Sequence, residues 1–388
     1  MAIIPRKSFG WLLWSLILLA GCETTSIEPT SIEKQTAGET TAAAIEQVET
    51  ALKTDPIATE ESAASITPQV IPGTLVPRFG DEIVAAGQFF RTGTPVVLWS
   101  DADGYDGYRV ERRFASLARA DWESSRRDVP ALSSPNRYSM RSAGLSPQKR
   151  EEVRGGSWTL EQLQEVVDQL VLHYDVSGTS RVCFERLHDH RGLSIHFMVD
   201  VDGTIYQTLD LKEKAWHATV ANSRSIGVEI AQIGAYPSPD AKPLRDWYEE
   251  REDGSTLLTI PKSARPDSVR NQDYSGRPIR SEVVAGKING TSLWQYDFTA
   301  EQYAALAHLA AALSEVFPKL RLEVPRDETG AVASDKLNDA ALKNFGGLIG
   351  HFHIQTNKVD PGPAFQWERV LEEARKLLQP DSDRSTTR

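Results

Sequence analysis

Gly350-His351-Phe352-His353-Ile354-Gln355-Thr356-Asn357-Lys358-Val359-Asp360-Pro361-Gly362-Pro363 follows directly on the apolar pair Leu348-Ile349. A short apolar run that ends in an imidazole and then breaks into polar residues, Pro and Gly reads as a buried strand delivering a side chain into a loop. Nine residues after His351 that loop carries Asp360. The same pattern, an apolar strand closing on an imidazole, recurs at Leu170-Val171-Leu172-His173-Tyr174. His173, His351 and Asp360 together offer two imidazole nitrogens and one carboxylate oxygen, a set that suits Zn2+ at about 2.0–2.2 Å. Three protein ligands leave the fourth position for water. Two neutral imidazoles and one carboxylate leave the centre cationic, so the ion keeps its Lewis acidity.

Working outward, strands and helices interleave. Thr159 with Gln162 and Thr299 with Gln302 are capping-box pairs, each opening a helix. The second of these runs through Ala305, Leu306, Leu309, Ala312 and Leu313 to Phe317, with Pro318 beyond it. Ile195 to Val201 and Thr204 to Thr208 flank Asp202-Gly203, a hairpin signal. Val96-Val97-Leu98-Trp99 and Ile226-Gly227-Val228-Glu229-Ile230 read as further short strands, and Pro363 to Leu378 as a final amphipathic helix. The expected fold class is α/β, a mixed central β-sheet flanked by helices. A main domain over 156–380 is interrupted at 235–297 by a polar insertion of turns and short strands. It is preceded by an N-terminal extension, 76–155, packed on the core. We expect the stretches 76–150 and 235–297 to build walls of the substrate groove. Residues 381–388 read as a disordered tail.

Arg6 and Lys7 precede an apolar run from Phe9 to Ala20. A run of twelve residues is too short for the roughly 20 a spanning helix needs, and the pattern is that of a secretory signal. It ends Leu19-Ala20-Gly21-Cys22, which resembles the bacterial lipobox. We therefore expect cleavage of residues 1–21, lipidation at Cys22 and anchoring of the chain to a membrane. Glu23, in place of Asp, favours the outer membrane by the sorting rule such lipoproteins resemble, with the protein facing the periplasm. Residues 22–75 lack Phe, Trp and Tyr and are rich in Thr, Ala, Ser, Glu and Pro. They read as a disordered tether, because such a stretch buries too little apolar surface to offset the entropy of ordering.

Composition narrows the function further. Forty-three basic against 54 acidic side chains give a net charge of −11, which argues against a nucleic-acid partner, since such proteins present a basic patch or stripe. Two cysteines, Cys22 and Cys183, make no disulfide framework. Cys183 reads as a small buried hydrophobe. Among the other histidines, His353 stands two residues from His351, on the same strand face by period two, and is an alternative ligand. His196 reads as a packed residue near the metal, His188 and His190 as part of a solvated turn, and His308 as structural.

Four segments, taken in order, resemble the zinc-dependent type-2 N-acetylmuramoyl-L-alanine amidases, the family that includes the peptidoglycan-recognition proteins. They are Val171-Leu172-His173-Tyr174; His196-Phe197-Met198-Val199 with Asp202-Gly203-Thr204-Ile205; Trp216-His217-Ala218 with Asn222 and Ser225-Ile226-Gly227-Val228-Glu229; and Gly350-His351 through Lys358-Val359-Asp360-Pro361-Gly362. The resemblance implies His173, His351 and Asp360 as Zn2+ ligands and Glu229 as the base that takes a proton from the attacking water. It implies Lys358 as the cation that balances the oxyanion, and His217 and Asn222 as substrate contacts. Where some relatives place a tyrosine before the His-Phe pair, this chain has Ile195, which moves the weight to Glu229. The implied reaction is hydrolysis of the amide between N-acetylmuramic acid and L-alanine in peptidoglycan or muropeptides, by a monomer. A non-catalytic peptidoglycan-binding lipoprotein of the same fold is the alternative. A zinc peptidase is weaker, because no His-Glu-x-x-His occurs.

Overall fold

Gln169–Tyr174 is buried along its whole length, which explains why its sequence reads as a continuous apolar run instead of an alternation: both faces of the strand are covered. The computed structural model describes residues 75–379. The expectations for segment 1–21, for Cys22 and the tether up to residue 74, and for 381–388 fall outside the described residues. Among the described residues no helix is long and apolar enough to cross a membrane.

The central sheet opens with β1 (Val96–Leu98), β2 (Gln169–Tyr174), β3 (Phe197–Val199), β4 (Ile205–Gln207) and β5 (Ser225–Ile230). A separate antiparallel hairpin follows, β6 (Val284–Ile288) and β7 (Thr291–Gln295). The last strand of the central sheet is β8 (Gly347–Gly350), and the six lie in the order β8-β2-β5-β3-β4-β1. β8, β2, β5 and β3 run parallel to their neighbours, whereas β3 and β4 pair antiparallel across Asp202-Gly203. The sheet is therefore mixed, as the pattern of elements implied.

Period two then divides the side chains. Leu170, Leu172, Ile226, Val228 and Ile230 are no more than 1% exposed and join one core with helices α1 (Leu160–Val166), α2 (Ala300–Val316) and α3 (Trp367–Leu377). Burying each such side chain is worth about 1.5–3 kcal/mol. Both expected capping boxes are formed, Thr159 with Gln162 and Thr299 with Gln302. Val171 and Ile349 point the other way, into a smaller cluster with Ala218, Ala221, Leu342 and Ile354. His173 and Glu229 share that second face by the same alternation. It is covered by short segments and loops, not by a long helix, and that is where an opening forms.

Three local expectations need correction. β8 ends at Gly350, and His351–His353 is a turn of 3-10 helix, so strand periodicity does not relate His351 to His353. His188 and His190 belong not to a solvated turn but to a π-helix, Glu185–Arg191, with His188 and Asp189 buried. It stops at Gly192, whose φ of +62° gives a left-handed cap. The final helix begins at Trp367 instead of Pro363.

Candidate active site

The register of the parallel strands builds the site. His173 on β2 lies opposite Glu229 on β5, and Leu172 lies opposite Gly350 on β8. His351 therefore leaves β8 at the level where His173 and Glu229 end their strands. This is the carboxyl edge of a parallel sheet, the usual place for ligands in such folds. Asp360 returns to the same point from the loop.

His173 Nδ1 is 3.0 Å from His351 Nδ1 and 2.9 Å from Asp360 Oδ2, and His351 Nδ1 is 3.0 Å from the same oxygen. All three residues are buried. A tetrahedral ion bound at about 2.0–2.1 Å spaces its ligand atoms about 3.3 Å apart, so the triangle fits within a few tenths of an ångström. The outward nitrogens complete the fit. His351 Nε2 is 2.8 Å from Gln355 Oε1, and His173 Nε2 is 3.0 Å from His217 Nδ1. Each ring can donate its Nε2–H outward and leave the Nδ1 lone pair facing the centre, the arrangement that orients imidazole ligands. His217 Nε2 in turn lies 3.3 Å from Ser225 Oγ.

Electrostatics agree. Burial, with His351 beside it, lowers the His173 pKa to about 4, so the ring is neutral at pH 7. Glu229 goes the other way. Burial first, then the charges of Asp360 and Asp175, push its carboxyl well above the usual value, while Lys358 and Arg191 draw it back. Its Oε2 is buried and has no hydrogen-bond partner.

These groups line a cleft of about 420 Å³, together with Lys358, Trp216 and, from the π-helix, Arg186, His190 and Arg191. No protein hydrogen bond occupies the Lys358 ammonium among the described residues, and its charge reaches both Glu229 and His173. An N-acetylmuramoyl-L-alanine amidase family model matches residues 163–363, just over half of the chain.

The chain belongs to the N-acetylmuramoyl-L-alanine amidase family.

Similar solved structures include amidases. A selenomethionine derivative of AmpD is 17% identical over 61% of this chain and 89% of its own, with a TM-score of 0.28. The endolysin amidase LysCS from Clostridium intestinale is 16% identical over 56% and 88%, with a TM-score of 0.26. AmiD from E. coli, in complex with the substrate anhydro-N-acetylmuramic acid-L-Ala-D-gamma-Glu-L-Lys, is 16% identical over 61% and 65%, with a TM-score of 0.28. A search of curated protein sequences finds no match.

Within this amidase-family domain the remaining candidates separate clearly. His353 faces away from the cluster: its Nδ1 accepts from the Gly350 amide at 2.9 Å, which leaves Nε2 to donate to Ala333 O at 2.8 Å. Both ring nitrogens are used, so the alternative ligand drops out. His196 is buried and accepts from the Gly227 amide. Asn222 does not line the cleft. Its Oδ1 accepts from the amides of His217 and Ala218, so it shapes the loop that presents His217. Cys183 does line the cleft, but burial raises its thiol pKa well above the ordinary value and keeps it protonated.

Neither 76–150 nor 235–297 lines the cleft, contrary to the expectation that they form its walls. They brace those walls from behind. Arg137 Nε donates to His188 O at 3.0 Å, Asp189 accepts from the Arg113 amide, and Thr179 Oγ1 donates to Ala264 O at 2.8 Å. The sequence carried no sign of Gln355 or Asp175. Gln355 stands four residues after His351, but a polar residue in a polar loop is not distinctive. Asp175 lies two residues after His173 and accepts three backbone amides.

Gly227 offers a direct check on how tightly the site is packed. A Cβ there would lie 2.5 Å from Ile195 Cδ1 and 2.6 Å from the His217 ring. Gly227→Ala must displace His217, and a shift of about 1 Å in such a group costs up to about 10²-fold in rate. The expected result is a folded variant whose kcat falls by about 10- to 100-fold. Unchanged turnover would mean that His217 is not held where it matters.

Proposed function

We propose that this chain is a Zn2+-dependent amidase that hydrolyses the bond between N-acetylmuramic acid and L-alanine in peptidoglycan or muropeptides. The observation that carries the reading is the three-donor cluster of His173, His351 and Asp360 placed beside Glu229, whose buried Oε2 is left without a partner. His173, His351 and Asp360 would hold the ion. When bound, Zn2+ supplies Lewis-acid chemistry, polarising oxygen and making water a nucleophile near neutral pH. The chain's own residues do the rest. Glu229 Oε2 accepts the proton of the attacking water and returns it to the nitrogen of L-alanine as the C–N bond breaks. Lys358 places its positive charge where the carbonyl oxygen gains negative charge, a kind of stabilisation worth several kcal/mol. His217 orients His173 through its outward nitrogen.

Defined muropeptides, digested with and without a chelator and followed by mass spectrometry, test the proposal. The expected products are the muramyl sugar with a free lactyl carboxyl and an intact peptide, with none formed after chelation. Metal binding without cleavage would favour the non-catalytic binder, and a cut between amino acids the peptidase. We also propose lipid attachment at Cys22 and an outer-membrane, periplasm-facing location. Cys22→Ser should move the protein from the membrane to the soluble fraction, and retention in the membrane would remove that assignment.

The pH dependence follows from Glu229, which must be ionised to act as a base. Burial and the neighbouring acids raise its carboxyl and a bound Zn2+ would draw it back, so turnover falls on acidification through the value those influences set. Lys358 pulls that value down. Lys358→Met is therefore expected to move the acid limb of kcat/KM to higher pH as well as to lower the plateau. An acid limb that does not move would uncouple the two residues.

A further inference from the structure

We propose that Asn289, at the tip of the β6–β7 hairpin in the insertion, is the positioning residue that holds the 351–360 loop in its working shape. The inference rests on the metal-amidase reading above. Asn289 Nδ2 lies 3.2 Å from Phe352 O, 3.3 Å from Gln355 O and 3.0 Å from Lys358 O. Its Oδ1 accepts from the Lys336 amide at 2.7 Å, and its own amide donates to Ser334 O. The side chain is thus fixed from behind while its two amide hydrogens serve three carbonyls in front.

Part of the reason for asparagine at this position is local. Ile288 pairs with Thr291, so Asn289-Gly290 is a two-residue hairpin turn, and Asn289 has a φ of +47°, a region that asparagine tolerates better than most residues. Turn chemistry does not require the contacts across to residues 352, 355 and 358. Those three carbonyls are three residues apart and belong to successive turns of a tightly wound loop, in which the Gln355 amide donates to His351 O and the Lys358 amide to Gln355 O. Such winding turns the carbonyls to one side, and a single amide group satisfies them together.

The chemistry depends on these same points of the loop. His351 precedes the first carbonyl. Gln355 carries the second and accepts from the His351 ring. Lys358 carries the third. The rest of the hairpin runs along the remainder of the motif. Gly286 leaves room for Pro363, where a Cβ would come within 2.4 Å. Gln295 donates to Pro361 O and accepts from the Ala364 amide, both at 3.0 Å. Interrupting the domain with this hairpin thus supplies the clamp for the ligand-bearing loop.

Asn289→Asp is the sharpest test. It preserves size, tolerance of positive φ and the acceptor for Lys336, but turns an oxygen toward three carbonyls. In the metal-free protein, amide hydrogen exchange over 352–360 is expected to rise about tenfold, with exchange in β2 and β5 unchanged. Zn2+ affinity, read by competition with a chromophoric chelator, should fall by about 10- to 100-fold. On muropeptides kcat should drop while KM stays within about threefold. Ser292→Ala, exposed on the same hairpin, should match the wild type throughout. If Asn289→Asp fails to fold, Asn289→Gly, which suits the backbone, is read in the same ways. Wild-type loop exchange together with wild-type Zn2+ affinity would overturn the proposal. So would exchange that rises evenly through the core, the mark of a merely structural residue. A wild-type protein that binds Zn2+ and cleaves nothing would sink the amidase reading and leave the exchange comparison intact, so the two failures are distinguishable.

Discussion

Glu229→Gln is expected to lower kcat on muropeptides by about 10²–10⁴-fold, the range for loss of a positioned general base, with KM and Zn2+ content near wild type. The substitution keeps the shape and a hydrogen-bonding head but cannot take a proton. Metal content should survive because the donor cluster is His173, His351 and Asp360, without Glu229. Stability should not fall, and it has reason to rise. The wild-type carboxyl is buried near Asp360 and Asp175, with one oxygen lacking any partner. Ionising it there works against burial and two neighbouring acids, and a neutral amide removes that penalty. The pairing of lost turnover with equal or higher melting temperature is the signature of a group kept for chemistry at the expense of stability. Thermal melts, metal analysis and single-turnover digests of one preparation would show it. Turnover within about threefold of wild type would end the assignment of Glu229 as base and leave the source of proton transfer to be sought elsewhere in the cleft.

What could be read from the residues, and what could not, divides along sequence distance. His173 and His351 were visible because each ends a short apolar run, and burial on both faces makes such runs conspicuous. The capping boxes were visible because Thr and Gln three apart satisfy each other locally. The alignment of His173 with Glu229, by contrast, is a register between strands 56 positions apart, and only the closed sheet specifies it. His353 was misleading because the strand stops at Gly350 one residue earlier than its apolar pattern suggests. The π-helix was hidden because Glu185-Arg186-Leu187-His188-Asp189-His190-Arg191 is polar enough to pass for a loop, yet His188 and Asp189 are drawn inside by partners from the N-terminal extension. Asn289-Gly290 is a common hairpin-turn pair, so nothing in the sequence sets Asn289 apart. Most opaque were the buried arginines, since nothing in the sequence distinguishes a guanidinium destined for the core from one on the surface.

Arg141→Ala is expected to destabilise the protein by about 3–5 kcal/mol, a large part of the roughly 5–15 kcal/mol typical of a native domain. Arg141 is fully buried and comes from the N-terminal extension. Its Nε donates to Leu211 O at 2.9 Å, Nη1 to Asn222 O and Ser223 O, and Nη2 to Ser225 O at 2.9 Å. Among the described residues no salt bridge pairs it with a carboxylate. Burial lowers its pKa to about 9, which still leaves it charged at pH 7. Four carbonyls from two segments therefore converge on one planar cation. Each carbonyl left without a donor costs about 1–3 kcal/mol, less where water enters the space and less again for relieving a buried charge. Arg141→Lys should recover only part of the loss, because an ammonium cannot reproduce the planar fork. Arg141→Met fills most of the volume and separates packing from hydrogen bonding. An unfolding free energy from denaturant titration of that variant within about 0.5 kcal/mol of wild type would show that the carbonyls do not need the guanidinium. The same fork explains a functional consequence. It grips residues 222, 223 and 225, and Asn222 in turn holds the amides of His217 and Ala218. Whatever fraction of Arg141→Lys remains folded should therefore bind Zn2+ more weakly and turn over more slowly than wild type, because the ring that orients His173 is no longer held from below.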